Sequence, residues 1–109
     1  MKNVLMSVLA MGAMTISANA ACSGTACTNV TVTEVYATFG GTIYIATDGN
    51  EGALSCTSPG NVYVSIGAND VGKNALYSMM LTAKTTKAKV KIRIQSGTDG
   101  CRILYANIK

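Results

Sequence analysis

The stretch Leu76–Ile94, LYSMMLTAKTTKAKVKIRI, changes period halfway along, and that change decides how the chain is read. Its first half continues from Asn74, with Ala75, Leu76, Met79, Met80 and Ala83 recurring at helical spacing. The spacing predicts a helix over 74–84, with Asn69 or Asp70 available as its cap and Lys84 and Lys87 suited to its negative end. Its second half, KAKVKIRI (Lys87–Ile94), alternates strictly, so Lys87, Lys89, Lys91 and Arg93 are expected on one face of a strand, with Val90, Ile92 and Ile94 on the other. A single helix is therefore followed at once by a strand.

Upstream of the helix the signals are all β. NVTVTEVYATF (Asn29–Phe39) starts with Val30 and Val32 on one face and continues with Val35, Ala37 and Phe39 on odd numbers. The slip of phase at Glu34 predicts a bulge that bends a long first strand. TIYIAT (Thr42–Thr47) places Ile43 and Ile45 inward, and NVYVSI (Asn61–Ile66) does the same for Val62, Val64 and Ile66. Between them, Asp48–Gly52 reads as a hairpin turn, because its acidic spacing fails that of a calcium loop. RILYANI (Arg102–Ile108) follows a turn at Gly97–Gly100 and supplies a last strand. The order β-β-β-α-β-β, with a bent first strand, predicts an all-β fold with one helix, a five-stranded OB-fold Greek-key barrel. A two-layer α+β sheet is the alternative.

The N-terminus reads differently. Met1-Lys2-Asn3 precedes the apolar run Val4–Ile16, and Ala18-Asn19-Ala20 has the small-x-small pattern of a signal-peptidase site. Residues 1–20 are expected to be a cleaved secretory signal peptide, too short for a membrane span, and 21–109 a single domain. Anchoring of a lipoprotein through Cys22 is disfavoured, because Asn19 stands where such signals carry a large aliphatic residue. All four cysteines, Cys22, Cys27, Cys56 and Cys101, lie beyond this segment, and an even count in an exported chain predicts two disulfides. Three connectivities are possible, of which Cys22–Cys27 with Cys56–Cys101 is favoured. A zinc site is the alternative use of these cysteines, and the lack of histidine and of any CxxC pair favours disulfides over it by a wide margin.

The same absences argue against catalysis. Without histidine, with oxidised cysteines and with only five scattered acids, no acid–base or nucleophile–base pair can be assembled. No cofactor motif is present either, since the glycines are dispersed among turns. Asn29-Val30-Thr31 matches a glycosylation acceptor, a three-residue pattern that arises often by chance. A binding role remains. The cationic strand carries no aromatic to stack a base, so single-stranded nucleic acid is a poor partner for it. Its cations serve either as the wet face of a strand or as contacts to an acidic group on another molecule.

Leu76-Tyr77, Thr85-Thr86 and Val90-Lys91-Ile92 resemble the helix-to-strand segment of the pentameric B subunits of the subtilase and pertussis-like toxin family. CTNVTVTEV (Cys27–Val35) is loosely similar to that family's first strand. The resemblance implies an exported OB-fold homopentamer that binds host glycans, sialylated ones among them, and delivers an A subunit. It places Thr28 at the family's sugar-contacting serine. Tyr77, Ser78, Leu81, Lys89 and Lys91 become candidate subunit or partner contacts. Lys87 stands where the family commonly has glycine, so the turn after the helix is expected to be built differently. The alternative is a free-standing secreted or periplasmic OB-fold adaptor that binds a partner protein and no sugar.

Overall fold

The computed structural model describes residues 20–109. The signal-peptide expectation for residues 1–20 therefore lies, but for its last residue, outside the described residues. The elements run β1 (Ala21–Ser23), β2 (Ala26–Ala37), β3 (Ile43–Thr47), β4 (Val64–Ile66), α1 (Lys73–Thr86), β5 (Lys89–Ile94) and β6 (Ile103–Ile108). The fold is mostly β with one helix: antiparallel strands form one sheet in the order β4-β3-β2-β5-β6, with β1 paired to β2.

β2 is long because it serves two neighbours in turn. Its first part, Ala26–Thr31, pairs with β5, and its second, Val32–Ala37, pairs with β3. The register shifts between Val32 and Glu34, where the sequence loses phase. This bulge turns the strand so that Val30 and Val32 enter the core from one segment and Val35 packs against it from the other. Phe39 does not follow Val35 inward. The strand has ended by then, and Phe39 sits fully exposed on the turn closed by the Gly41 N–H bond to the Thr38 carbonyl.

The core is drawn from the alternating positions that the sequence marks: Ile43 and Ile45 of β3, Val64 and Ile66 of β4, and Val90, Ile92 and Ile94 of β5. Met80 and Ala83 of α1 are wholly buried against them, while Leu76, Tyr77 and Met79 pack around the edge. Burying a side chain the size of Met80 stabilises by about 1.5–3 kcal/mol. The Cys22–Cys27 bridge closes the β1–β2 hairpin, and Cys56–Cys101 ties the long β3–β4 connection to the start of β6. With its cysteines 45 positions apart in sequence, the second bridge contributes about 4 kcal/mol on the loop-entropy account.

The structure corrects several local expectations. Val62 is exposed, because a one-turn 3-10 helix at Pro59–Asn61 with Gly60 and Asn61 in left-handed conformations delays β4 until Val64. Asp48–Gly52 is not a hairpin turn; it opens the long connection to β4. Glu51 is buried there and accepts bonds from both the backbone N–H and the hydroxyl of Thr47. Burial lifts its carboxyl above the ordinary 4.5, against the opposing pull of the Thr47 hydroxyl. Gly72, rather than Asn69 or Asp70, occupies the helix N-cap, and no side chain caps it. Asp70 is engaged elsewhere, as described below.

Lys87 is not part of β5 and does not share the face of Lys89, Lys91 and Arg93. It is the C-cap of α1, at φ 59° and ψ 30°. The turn is thus built with the left-handed residue that usually is glycine, but on a lysine. An L side chain in this conformation costs about 1–2 kcal/mol, partly offset by the cation's position at the helix C-terminus. Lys87→Gly is expected to stabilise by about 0.5–1 kcal/mol. That should raise Tm by roughly 2–8 °C in thermal unfolding followed by circular dichroism. An unchanged or lower Tm would show that the lysine makes compensating contacts.

Candidate binding face

One row of cross-strand partners crosses the sheet. Tyr36 of β2 opposes Tyr44 of β3, Tyr44 opposes Ser65 of β4, and Ser65 makes a parallel bridge to Arg102 at the entry to β6. Tyr44 lies between the inward Ile43 and Ile45, so it stands on the outer side of the sheet. Tyr36 reaches that side because of the bulge. Tyr63, arriving beside Val64, completes a cluster. The ring centroids of Tyr36 and Tyr44 are 5.2 Å apart and stacked. Those of Tyr36 and Tyr63 are 5.5 Å apart, and those of Tyr44 and Tyr63 5.9 Å, both edge to face. The Tyr63 hydroxyl donates to Glu34 at 3.0 Å, which holds the phenol proton and lifts its pKa above the ordinary 10.0.

Tyr44 also belongs to a polar cleft of about 390 Å3, lined by Thr42, Ser65, Asn69, Asp99 and Arg102 among others. Its far wall is the 98–102 turn. That wall is held in place by the Ser65 N–H bond to the Cys101 carbonyl (3.0 Å), the Ser65 hydroxyl bond to the Gly100 carbonyl (2.8 Å) and the Cys56–Cys101 bridge. Its floor is the segment 67–70. Asp70 accepts the Gly67 N–H at 2.7 Å and forms a two-pronged ion pair with Arg102, through Nε at 3.3 Å and through Nη2. A Cβ at Gly67 would stand 2.7 Å from the guanidinium carbon, so a side chain there would displace Arg102 from this pair.

The residues singled out from sequence lie elsewhere and apart from one another. Thr28 is exposed on β2 opposite Ala21, eight residues before Tyr36 and so about 26 Å along the strand. Ser78 and Leu81 are exposed on α1, whereas Tyr77 is half-buried against the core. Lys89 is exposed and donates to the Thr31 hydroxyl at 3.2 Å, and Lys91 is half-buried opposite Asn107. On the outer stripe of α1, Thr85 donates to the Leu81 carbonyl (2.9 Å) and Thr86 to the Thr82 carbonyl (2.8 Å), so these hydroxyls are used by the helix itself. Cys22, Cys27 and Glu51 approach one another in the arrangement of a metal site. Both sulfurs are spent in a disulfide, so the group offers no thiolate.

The tyrosine face carries a signal that sequence reasoning passed over. Tyr44 and Tyr63 occupy the polar phase of their alternating strands, and Tyr36 acquires that phase after the slip at Glu34.

No family model matches the chain, and neither a curated protein nor a solved structure matches it.

The Arg102 hydrogen bond holds the Asp70 carboxyl below its ordinary 3.8. A depressed carboxylate adds stability that is present above pH 3.8 and is lost as pH falls through the folded-state value. Asp70→Asn is expected to lower Tm at pH 7 and to flatten the loss of Tm below pH 3.8, relative to the parent protein. Parallel acid limbs in the two proteins would show that the pair does not stabilise the cleft floor.

Proposed function

We propose that this chain is an exported, non-enzymatic OB-fold module that binds carbohydrate on the outer face of β2, β3 and β4. The observation that carries the reading is the tyrosine cluster, with Tyr36 exposed and Tyr44 and Tyr63 half-buried, continuous with a polar cleft through Tyr44. Clustered aromatics offer the apolar C–H face of a sugar ring a surface, and a cleft beside them supplies hydrogen bonds that fix its orientation. The OB-fold assignment draws support from the strand order, from the helix between β4 and β5, and from the parallel bridge between Ser65 of β4 and Arg102 at the entry to β6. The face used is also the one on which OB-folds hold oligosaccharides. Export is supported by two disulfides, and among the described residues no helix is long and apolar enough to cross a membrane.

The wider analogy to a toxin B subunit adds a homopentameric ring, with α1 and the Lys89 and Lys91 strand as contacts, and an A subunit as cargo. Support for a subunit contact comes from Leu81, 41% exposed on a helix face whose threonines bond inward. The adaptor reading has its own support in β6, where Leu104 and Tyr105 are 54% and 43% exposed on a strand with no charged residue.

A glycan array probed with the Ala21–Lys109 protein separates these readings. Carbohydrate binding reduced at least tenfold by Tyr44→Ala and unchanged in Thr28→Ala is the expected outcome. Loss in the Thr28 variant alone would return the site to the start of β2, and a blank array would favour the adaptor. Light scattering tests the ring, which a monomer at micromolar concentration would overturn.

A further inference from the structure

We propose that the tyrosine face takes an uncharged hexopyranose and disfavours acidic sugars such as a sialylated terminus. This inference rests on the carbohydrate reading above and names the ligand class for that site. It comes from the charges that surround the cleft. Arg102 is the cation in its lining, and its guanidinium is already committed to Asp70 through two of its nitrogens. Asp70 in turn spends its second role on the Gly67 N–H. Asp70 already balances the charge of that guanidinium, so a ligand carboxylate would gain less from it than from an unpaired cation, and the pair also joins the 67–70 segment to Arg102.

Two further charges at the face are negative. Asp99 is exposed in the lining and makes no ion pair among the described residues. Glu34 stands at the edge of the tyrosine cluster, bound to the Tyr63 hydroxyl. Lys73 is a cation at the cleft edge, its ammonium beside Gly41 and so close to the lining residues Thr42 and Ala68. An anionic sugar therefore meets two carboxylates, Asp99 and Glu34, against the one ammonium of Lys73.

A neutral pyranose finds the opposite situation. Its apolar face can lie over Tyr44, while Asp99 offers a carboxylate with two acceptor oxygens to vicinal hydroxyls. Asn69 and Thr42 supply neutral donors and acceptors on the same cleft. A volume of about 390 Å3 lies within the about 300–1,000 Å3 usual for small-molecule sites.

The test titrates isotope-labelled protein with methyl glycosides of glucose, galactose, mannose and N-acetylglucosamine, with lactose, and with sialyllactose, read by amide chemical shifts. Expected are saturable shifts at Tyr36, Tyr44, Ser65 and Asp99 for at least one neutral sugar, with sialyllactose about tenfold weaker than lactose or weaker still. Asp99→Asn, an exposed substitution, should weaken neutral-sugar binding about tenfold. Sialyllactose binding at these residues as tightly as lactose would overturn the ligand class and leave the carbohydrate reading standing. Shifts confined to residues near Thr28 would overturn the site. No shift with any of the sugars, together with a blank glycan array, would remove both the class and the reading beneath it.

Discussion

The register slip between Val32 and Glu34 is the constraint on which the rest of the molecule depends. β2 needs its first half to bury Val30 and Val32 beside β5, and its second half to bury Val35 beside β3. In a strand of unbroken period two, Val32 inward would force Glu34 and Tyr36 inward as well. A carboxylate would then enter the core, and the tyrosine cluster would lose a member. One extra residue resolves the conflict. It bends the strand toward a second neighbour, places Glu34 where it can accept the Tyr63 proton, and sets Tyr36 against Tyr44. Fold and candidate site thus share one cause.

The second requirement is to hold the ends of an open sheet together. β4 is only three residues long, and its link to β6 is a single bridge at Ser65 and Arg102. Such a contact would fray alone. The Cys56–Cys101 bridge, the Ser65 bonds and the Asp70–Arg102 pair all converge on it from different parts of the chain. A chain this small has a thin core, and covalent staples make up for the apolar burial it lacks. Here the staple lies directly behind the cleft wall.

Much of this was legible in the sequence, and for a physical reason. Alternation fixes which face a strand buries, so Ile43, Ile45, Val64, Ile66 and the Val90–Ile94 set read directly. The slip at Glu34 was visible because parity is a strict code. The helix showed through Met80 and Ala83, and the favoured cysteine pairing is the one the fold makes. What did not read were features set by partners distant in sequence. Asp70 looks like a helix cap until Arg102 arrives beside it, 32 residues later. Lys87 sits in the strand's alternating pattern yet belongs to the helix end, since backbone conformation overrides side-chain pattern there. The three tyrosines come from separate elements, and no local spacing announces that they meet.

The hydrogen bonds around the tyrosine face also determine how it would respond to its surroundings. Glu34 pushes the Tyr63 phenol away from neutrality on the alkaline side, and Arg102 pushes Asp70 away on the acid side. The chain contains no histidine, the one side chain whose ordinary titration falls between weak acid and weak base. Tyr63 stays neutral and Asp70 stays charged as the medium passes from neutral to mildly acidic. The ion pair that joins the 67–70 segment to Arg102 would therefore stay intact as the protein passed through an acidifying compartment.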